Sequence, residues 1–221
     1  HQSPNGVLWF GTFGSGVMLY DNNSWSSIDN RDGLAGNTVS SIYQGVDDFL
    51  WFGTREGGIT RYRSNLVSPS VRILSVKVGN RYIHPSTIPS LTVGSRLTIV
   101  SRAIDFKTIA EKQRYRYRIQ EIDTNWRPPT IEPFFDYTPD EPGTYTFYVQ
   151  SIDRDLIYSE PAKFSFRVEL PWYLNGWVIF PSSILVLLIL ILAIVNGVRY
   201  YQQRRKSDRL DREKQLLRDQ M

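Results

Sequence analysis

Gly11, Gly14 and Gly16 stand close enough together to cradle a phosphate. That chemistry needs a strand before the loop, a helix after it, and a Lys or an acidic partner at fixed spacing. Here Val17, Leu19 and Tyr20 resume a β-prone run, so the pattern predicts turn glycines. Ser15, between two of them, has neither a base nor the strand–helix context of a nucleophile. Asp29, Asp32 and Gly33 fall in "IDNRDG", but the alternating ligands of a calcium loop are missing, which predicts a turn. Of the two histidines, His84 precedes Pro85 and is expected in a surface loop rather than on a metal. The stretch "RYRYR" could be a stacking platform for single-stranded nucleic acid. Alternation instead puts Tyr115, Tyr117 and Ile119 on one face and Arg114, Arg116 and Arg118 on the other, as on any half-buried strand. With no cysteine, a disulfide scaffold and a thiolate metal site are excluded. No nucleic-acid partner, metal or cofactor is expected, and this chain is not expected to be an enzyme.

The elements that would position these residues begin with a repeat. "LWFGT" occupies 8–12 and recurs at 50–54, inside "LWFGTFGSGVMLY" and "LWFGTREGGITRY". A period of about 40–50 residues is typical of propeller blades. Leu8, Trp9 and Phe10 form an apolar run followed by Gly11 and Thr12, and Leu50, Trp51 and Phe52 are followed by Gly53 and Thr54. Each copy reads as a hairpin inside a four-stranded blade. About one and a half blades cannot close a propeller, which takes four to eight. The chain starts at His1 and is expected to be a piece of something longer, with further blades upstream.

Residues 66–170 alternate differently. Val71, Ile73 and Val76 alternate after a slip, then come Leu97, Ile99, Ser101 and Ala103, then Tyr145, Phe147 and Val149, then Phe164, Phe166 and Val168. Short period-two strands between Pro- and Gly-rich turns predict a small β-sandwich. Trp126 and Phe147 are the expected core residues.

The segment "WVIFPSSILVLLILILAIVNGV", 177–198, carries no charge. As a helix it spans about 33 Å, enough for a hydrocarbon core of about 30 Å. Trp172, Tyr173 and Trp177 would form an aromatic belt at its start. The tail from Arg199 on holds eight Lys/Arg against four Asp/Glu, the whole of the net charge of +4. The positive-inside rule puts that tail in the cytoplasm and residues 1–176 outside, which in a Gram-negative cell is the periplasm. A single pass through the inner membrane is expected.

Residues 66–172 resemble the three-Tyr (Y_Y_Y) domain, an immunoglobulin-like module of two-component regulators. The resemblance rests on Tyr115-Arg-Tyr117-Arg-Ile119, Asp123, Trp126, Tyr137-Thr138, Pro142-Gly143-Thr-Tyr145-Thr-Phe147-Tyr-Val149, Ser159-Glu-Pro161 and Pro171-Trp172-Tyr173. The repeats are similar to the accompanying propeller repeat through Gly33-Leu34, Asn37, Val39, Ile42 and Leu50-Trp51-Phe52-Gly53-Thr54. Asp155-Leu-Ile-Tyr158 departs from the family's common Asp-Gly-x-Trp. The expected architecture is mainly β: a partial β-propeller over 1–65, an immunoglobulin-like sandwich over 66–170, a transmembrane helix over 177–198 and a short cytoplasmic helix over 199–221.

The resemblance implies a membrane sensor that relays an extracytoplasmic ligand, in many relatives a glycan, to a cytoplasmic histidine kinase of a two-component phosphorelay. The full-length parent is then the kinase. A receptor with a cyclase or DNA-binding output and a membrane-anchored scaffold or adhesion protein are the alternatives. Pro171, Trp172 and Tyr173 form a short stiff joint ahead of the membrane. Leu210 and Leu217, seven apart, mark a thin coiled-coil seam that predicts a homodimer, while the Arg and Lys around them suit anionic lipid head groups.

Overall fold

The first repeat folds as strands β1 (Leu8–Gly11), β2 (Val17–Tyr20) and β3 (Trp25–Ile28). The second gives β4 (Val39–Gln44), β5 (Leu50–Thr54) and β6 (Gly58–Tyr62). The structure is a computed structural model that describes residues 1–84, 90–174 and 176–218, with side chains as far as Arg205 in the last helix. Each repeat is an antiparallel sheet of three strands rather than four. In the first, Gln2 bridges to Leu8 and begins a fourth. The Thr of "LWFGT" has a local reason. Thr12 Oγ1 donates to the carbonyl of Gly16 at 2.8 Å and Thr54 Oγ1 to that of Gly58 at 2.8 Å, pinning the same turn twice. Gly16 and Gly58 lie at φ +78° and +92°, a conformation that L side chains seldom adopt. At Gly16 a Cβ would also meet the Ile28 carbonyl oxygen at 2.1 Å.

The two copies bury opposite faces of the same motif. In β1, Trp9 is 4% exposed and Phe10 43%. In β5, Phe52 is fully buried and Trp51 is 38% exposed. Trp9 therefore meets Phe52 across the two sheets at 5.8 Å. The Trp face of one repeat packs on the Phe face of the next, a head-to-tail arrangement that leaves one face of each kind outward.

The sandwich holds β7 (Ser70–Val78), β8 (Arg81–Ile83), β9 (Ser90–Thr92), β10 (Leu97–Ile104), β11 (Arg114–Ile119), β12 (Phe134–Tyr137), β13 (Gly143–Ile152) and β14 (Ala162–Glu169). One sheet runs β12-β10-β7-β8, the other β11-β13-β14-β9. The pairing of β14 with β9 is parallel. The slip expected in β7 is a bulge, where the β7–β10 register shifts between Val100 and Ser101. Ile99, Ile119, Phe147, Val149 and Phe166 form the centre of the core. The inward tyrosines keep their hydroxyls satisfied, as buried phenols must. Tyr117 donates to the Glu132 carbonyl at 2.6 Å and Tyr145 to that of Glu141 at 2.9 Å, and Tyr115 accepts from the Ala103 amide at 3.1 Å.

Trp126 is not a core residue. It is half-buried and lies against the Arg116 guanidinium, 4.7 Å from the ring centre. Arg116 stands on the outward face of β11, and the ring follows the cation rather than the core.

Residues 1–169 form one unit, and a second starts at Leu170. In the second unit, Trp172–Leu174 make a 3-10 turn and helix α1 runs Gly176–Arg218 without interruption. The helices expected over 177–198 and 199–221 are continuous as far as Arg218, because nothing after Pro181 is a strong helix breaker. The stretch Gly176–Arg205 is long and apolar enough to cross a membrane.

Phe147→Ala removes a fully buried ring and is expected to cost about 3–5 kcal/mol in urea unfolding. Trp126→Ala is expected to cost only about 1 kcal/mol. Equal costs would place Trp126 back in the core.

Candidate functional site

Strand β13 leaves the sandwich at Ile152, and the turn that follows, 153–158, enters the core of the repeats. Ile152 and Leu156 belong to the cluster built around Trp9, Val17, Leu19 and Phe52. Asp153 makes the turn, its Oδ1 accepting from the amides of Asp155 and Ile157, both at 2.9 Å. Leu156 lies at φ +62°. This is the position where the family pattern carries Gly, and here a Leu takes the left-handed conformation while burying its side chain.

Apolar contact is half of this joint, and buried charge is the other half. The side chains of Asp32, Asp153 and Asp155 are at most 1% exposed. Lys107 Nζ lies 2.6 Å from Asp153 and 3.5 Å from Asp155, and donates to the carbonyls of Asn65 and Val67 at 2.7 and 2.9 Å. Asp155 also accepts from the Tyr62 hydroxyl and from the Asn65 amide. On the other side, Lys112 Nζ reaches Asp29 at 2.9 Å and Asp32 at 2.5 Å, and Arg154 reaches Asp32 at 3.5 Å. Ser26 Oγ donates to the Arg154 carbonyl at 2.7 Å. Asp29 caps the 3-10 turn 30–32 and Asp32 closes the capping box, so the "IDNRDG" turn fixes two carboxylates toward the sandwich. Removing one member of such a buried set leaves an uncompensated charge, a loss of about 3–5 kcal/mol.

A third strand of contacts is stacked. The Arg116 guanidinium lies 4.7 Å from the Trp126 ring centre and 4.1 Å from that of Tyr158. Its Nε bonds Gln150 Oε1 at 2.9 Å. Tyr158 then donates to Asp21 of the first repeat at 2.7 Å. Trp126, Arg116, Tyr158 and Asp21 form a continuous path from the outer face of β11 to the repeat sheets.

The electrostatics of the carboxylates diverge. Burial pushes the Asp155 carboxyl up to about 6, against the Asn65 amide that favours the charged form. The hydrogen bond from Arg31, with Lys112 adding to it, holds Asp29 well below the ordinary carboxylate range. Burial and the bond to Asp21 push the Tyr158 phenol well above its ordinary value.

The residues singled out by sequence distribute as follows. Trp9 lies at the centre of the repeat core, its indole donating to Ser3 Oγ at 2.9 Å. A Cβ at Gly11 would meet the Val39 carbonyl oxygen at 2.8 Å, and one at Gly53 the Ser41 hydroxyl at 2.3 Å. Tyr115, Tyr117, Tyr145 and Phe147 are in the sandwich core. Tyr137 packs at its edge, and Gly143 opens β13. Trp51 faces outward. In the second unit, Trp172 and Tyr173 are exposed, edge to face at 5.9 Å, in the turn that follows Pro171. Leu210 and Leu217 lie on the helical backbone, with side chains outside the described residues. Among the residues brought together at the joint, sequence reasoning reached Arg116 and Trp126, as strand and core, Asp29 and Asp32, as a turn, and Asp155 and Tyr158, as a departure from the family pattern. It missed Lys107, Lys112, Asp153, Arg154 and the part Tyr158 plays. The available signal was charge beside apolar residues in two turns, "IDNRDG" and "DRDLIY".

The Y_Y_Y domain model matches residues 107–169 and the two component regulator propeller model residues 33–56. The chain thus carries a three-Tyr domain and a regulator propeller repeat. No curated protein matches the chain. Among solved structures, it is similar to the extracellular domain of a B. thetaiotaomicron protein described as the hybrid two component system BT3049. That match has 17% identity and a TM-score of 0.48, covering 77% of this chain and 25% of that one. A second, described as the hybrid two component system BT4673, has 17% identity and a TM-score of 0.40, covering 78% and 31%. The fibronectin(III)-like modules of Clostridium thermocellum CbhA match with 13% identity and a TM-score of 0.36, covering 74% and 94%. The chain spans about a quarter to a third of the length of the two B. thetaiotaomicron domains.

Two measurements probe the joint. Because the folded value of Asp155 is raised, its contribution to stability is full below the unfolded value and is lost as pH rises through about 6. Relative to Asp155→Asn, the parent chain should lose about 1–3 kcal/mol between acid and neutral pH. Relative to Asp29→Asn, it should gain on the same path, since the Asp29 value is depressed. A flat difference for Asp155 would mean that its carboxylate is solvated. Leu156→Gly relieves about 1 kcal/mol of backbone strain but gives up a buried side chain, so a net loss of about 1–3 kcal/mol is expected by urea unfolding.

Proposed function

We propose that this chain is the transducing part of a membrane sensor. The repeats belong to an extracytoplasmic ligand-binding propeller, the sandwich receives their displacement, and α1 carries it across the membrane to a histidine kinase in a homodimer. The observation that carries this reading is the joint. Buried ion pairs, a stacked cation and a deeply inserted turn are a connection that transmits force, which a flexible linker would dissipate. The matched domains support the two-component assignment. Charge asymmetry around 177–198 favours a cytoplasmic tail, and the chain itself acts without chemistry of its own. A glycan is the ligand class that the family resemblance favours. On the far side, only Pro171 to Asn175 separate Leu170 from α1, so little slack is left before the membrane.

The test needs no ligand. In the full-length parent, Lys112→Ala should shift basal autophosphorylation, because it loosens the joint. A flexible Gly-Ser insertion of about ten residues between Leu170 and Pro171 should abolish that shift while expression and membrane insertion survive. If Lys112→Ala shifts output equally with and without the insertion, the relay does not run through this connection. Reporter fusions after Gln220 should be active in the cytoplasm and fusions near Asn175 outside it. The opposite pattern would end the sensor reading.

A further inference from the structure

The sandwich holds a cleft of about 430 Å³ at the far end of β10, apart from the joint but sharing a segment with it. Leu74, Ile131 and Pro133 give it an apolar wall. Its polar lining includes Ser101, Asp105 and Tyr115, together with Arg102, Thr108 and Gln113. Ser101 is 1% exposed and its hydroxyl has no partner. Asp105 Oδ1 accepts from the Lys107 amide at 2.9 Å, while Oδ2 is buried with no partner. The Tyr115 hydroxyl accepts from the Ala103 amide and keeps its own proton to donate. The β7–β10 register shift falls beside Ser101 and leaves Leu74 as the extra residue of β7. Bulges of this kind recur next to functional sites because they re-aim a side chain.

Buried polar atoms without partners are costly and uncommon in native proteins. Here two of them, one on a carboxylate, belong to residues lining the same cleft. A carboxylate oxygen asks for a donor, and a charged donor satisfies it best. The neighbouring hydroxyl adds a second acceptor, and the wall asks for a short apolar body. We infer that this cleft is a binding site for a small primary amine, with the ammonium on Asp105 and Ser101 and the hydrocarbon against Leu74 and Ile131. Arg102 also lines the cleft, but it is exposed, so water screens its charge. The cleft also has a route to the joint. Asp105, Thr108, Ala110 and Gln113 all line it, and the same segment carries Lys107 and Lys112. Thr108 Oγ1 accepts from the Arg154 amide at 2.9 Å. An amine seated on Asp105 bears on the segment that supplies both joint lysines, which makes the cleft a second input to the joint. The binding itself stands independently of the relay reading.

The experiment uses the whole chain in detergent at neutral pH, with isoamylamine as probe and isoamyl alcohol as its uncharged match, followed by saturation-transfer NMR and titration calorimetry. The amine should bind with Kd on the order of 1 mM, as a ligand of so few atoms allows. The alcohol should bind about tenfold more weakly. Asp105→Asn should weaken amine binding about tenfold, the equivalent of about 1.4 kcal/mol. Ser101→Ala should weaken it by a smaller factor while keeping the fold. Asp136→Asn, a surface carboxylate of the same sandwich paired with Arg96, should leave it unchanged. Equal binding of amine and alcohol would overturn the proposal. So would a correctly folded Asp105→Asn or Ser101→Ala protein that binds as the parent does, or an absence of binding at about ten times the expected Kd.

Discussion

Asp32, Asp153 and Asp155 are buried, and a buried carboxylate must be paired, hydrogen-bonded or neutral. Much of the arrangement of residues 1–169 answers that constraint. Lys107 and Lys112 come from the segment between β10 and β11, Arg154 from the turn after β13, and Asp29 and Asp32 from the turn after β3. Lys112 and Arg154 reach Asp29 and Asp32 only when the repeats and the sandwich are both folded and docked. The charges therefore act less as glue than as a specification of one docking geometry. The apolar insertion of Ile152 and Leu156 supplies the favourable burial that offsets their desolvation.

The repeats obey a different constraint. A sheet that buries its Trp on one side and its Phe on the other has two sticky faces, and one neighbour can cover only one of them. Trp9 against Phe52 shows the rule for stacking. Phe10, Trp25 and Tyr20 stack on the outward face of the first sheet, and Trp51, Ile59 and Tyr43 lie exposed on the second. These are the faces that further copies of the motif would cover in the same sense. The repeat pair is thus held from the side by the sandwich turn, which explains how two sheets alone share a core with so little burial of their own.

The departure Asp155-Leu-Ile-Tyr158 has a physical meaning. A Gly would take φ +62° without strain, whereas Leu156 accepts the strain and puts a large apolar side chain into the repeat core. Tyr158 then stacks on Arg116, as a Trp could, and adds a hydroxyl that reaches Asp21. Both substitutions strengthen contact between the two parts of the unit.

Period-two alternation was legible because each sandwich strand has one dry face and one wet face, so β7, β10, β11, β13 and β14 lie where their sequences put them. The uncharged run of α1 was equally plain, since a membrane demands length and apolarity from a single segment. The bulge in β7 showed as a slip in alternation. The identical "LWFGT" copies, by contrast, carried no mark of which face each would bury. That depends on which side its neighbour occupies. Trp126 looked like core because a Trp in a β domain usually is, yet its place is set by a guanidinium on the outward face of another strand. The joint was hidden for the same reason. Asp29 and Lys112, or Tyr62 and Asp155, are far apart in the chain, and charges in turns read as solvated until the fold removes the water. Local periodicity determined the elements. Long-range docking alone decided which polar residues would be buried together, because desolvation is a property of the assembled interior and not of any segment.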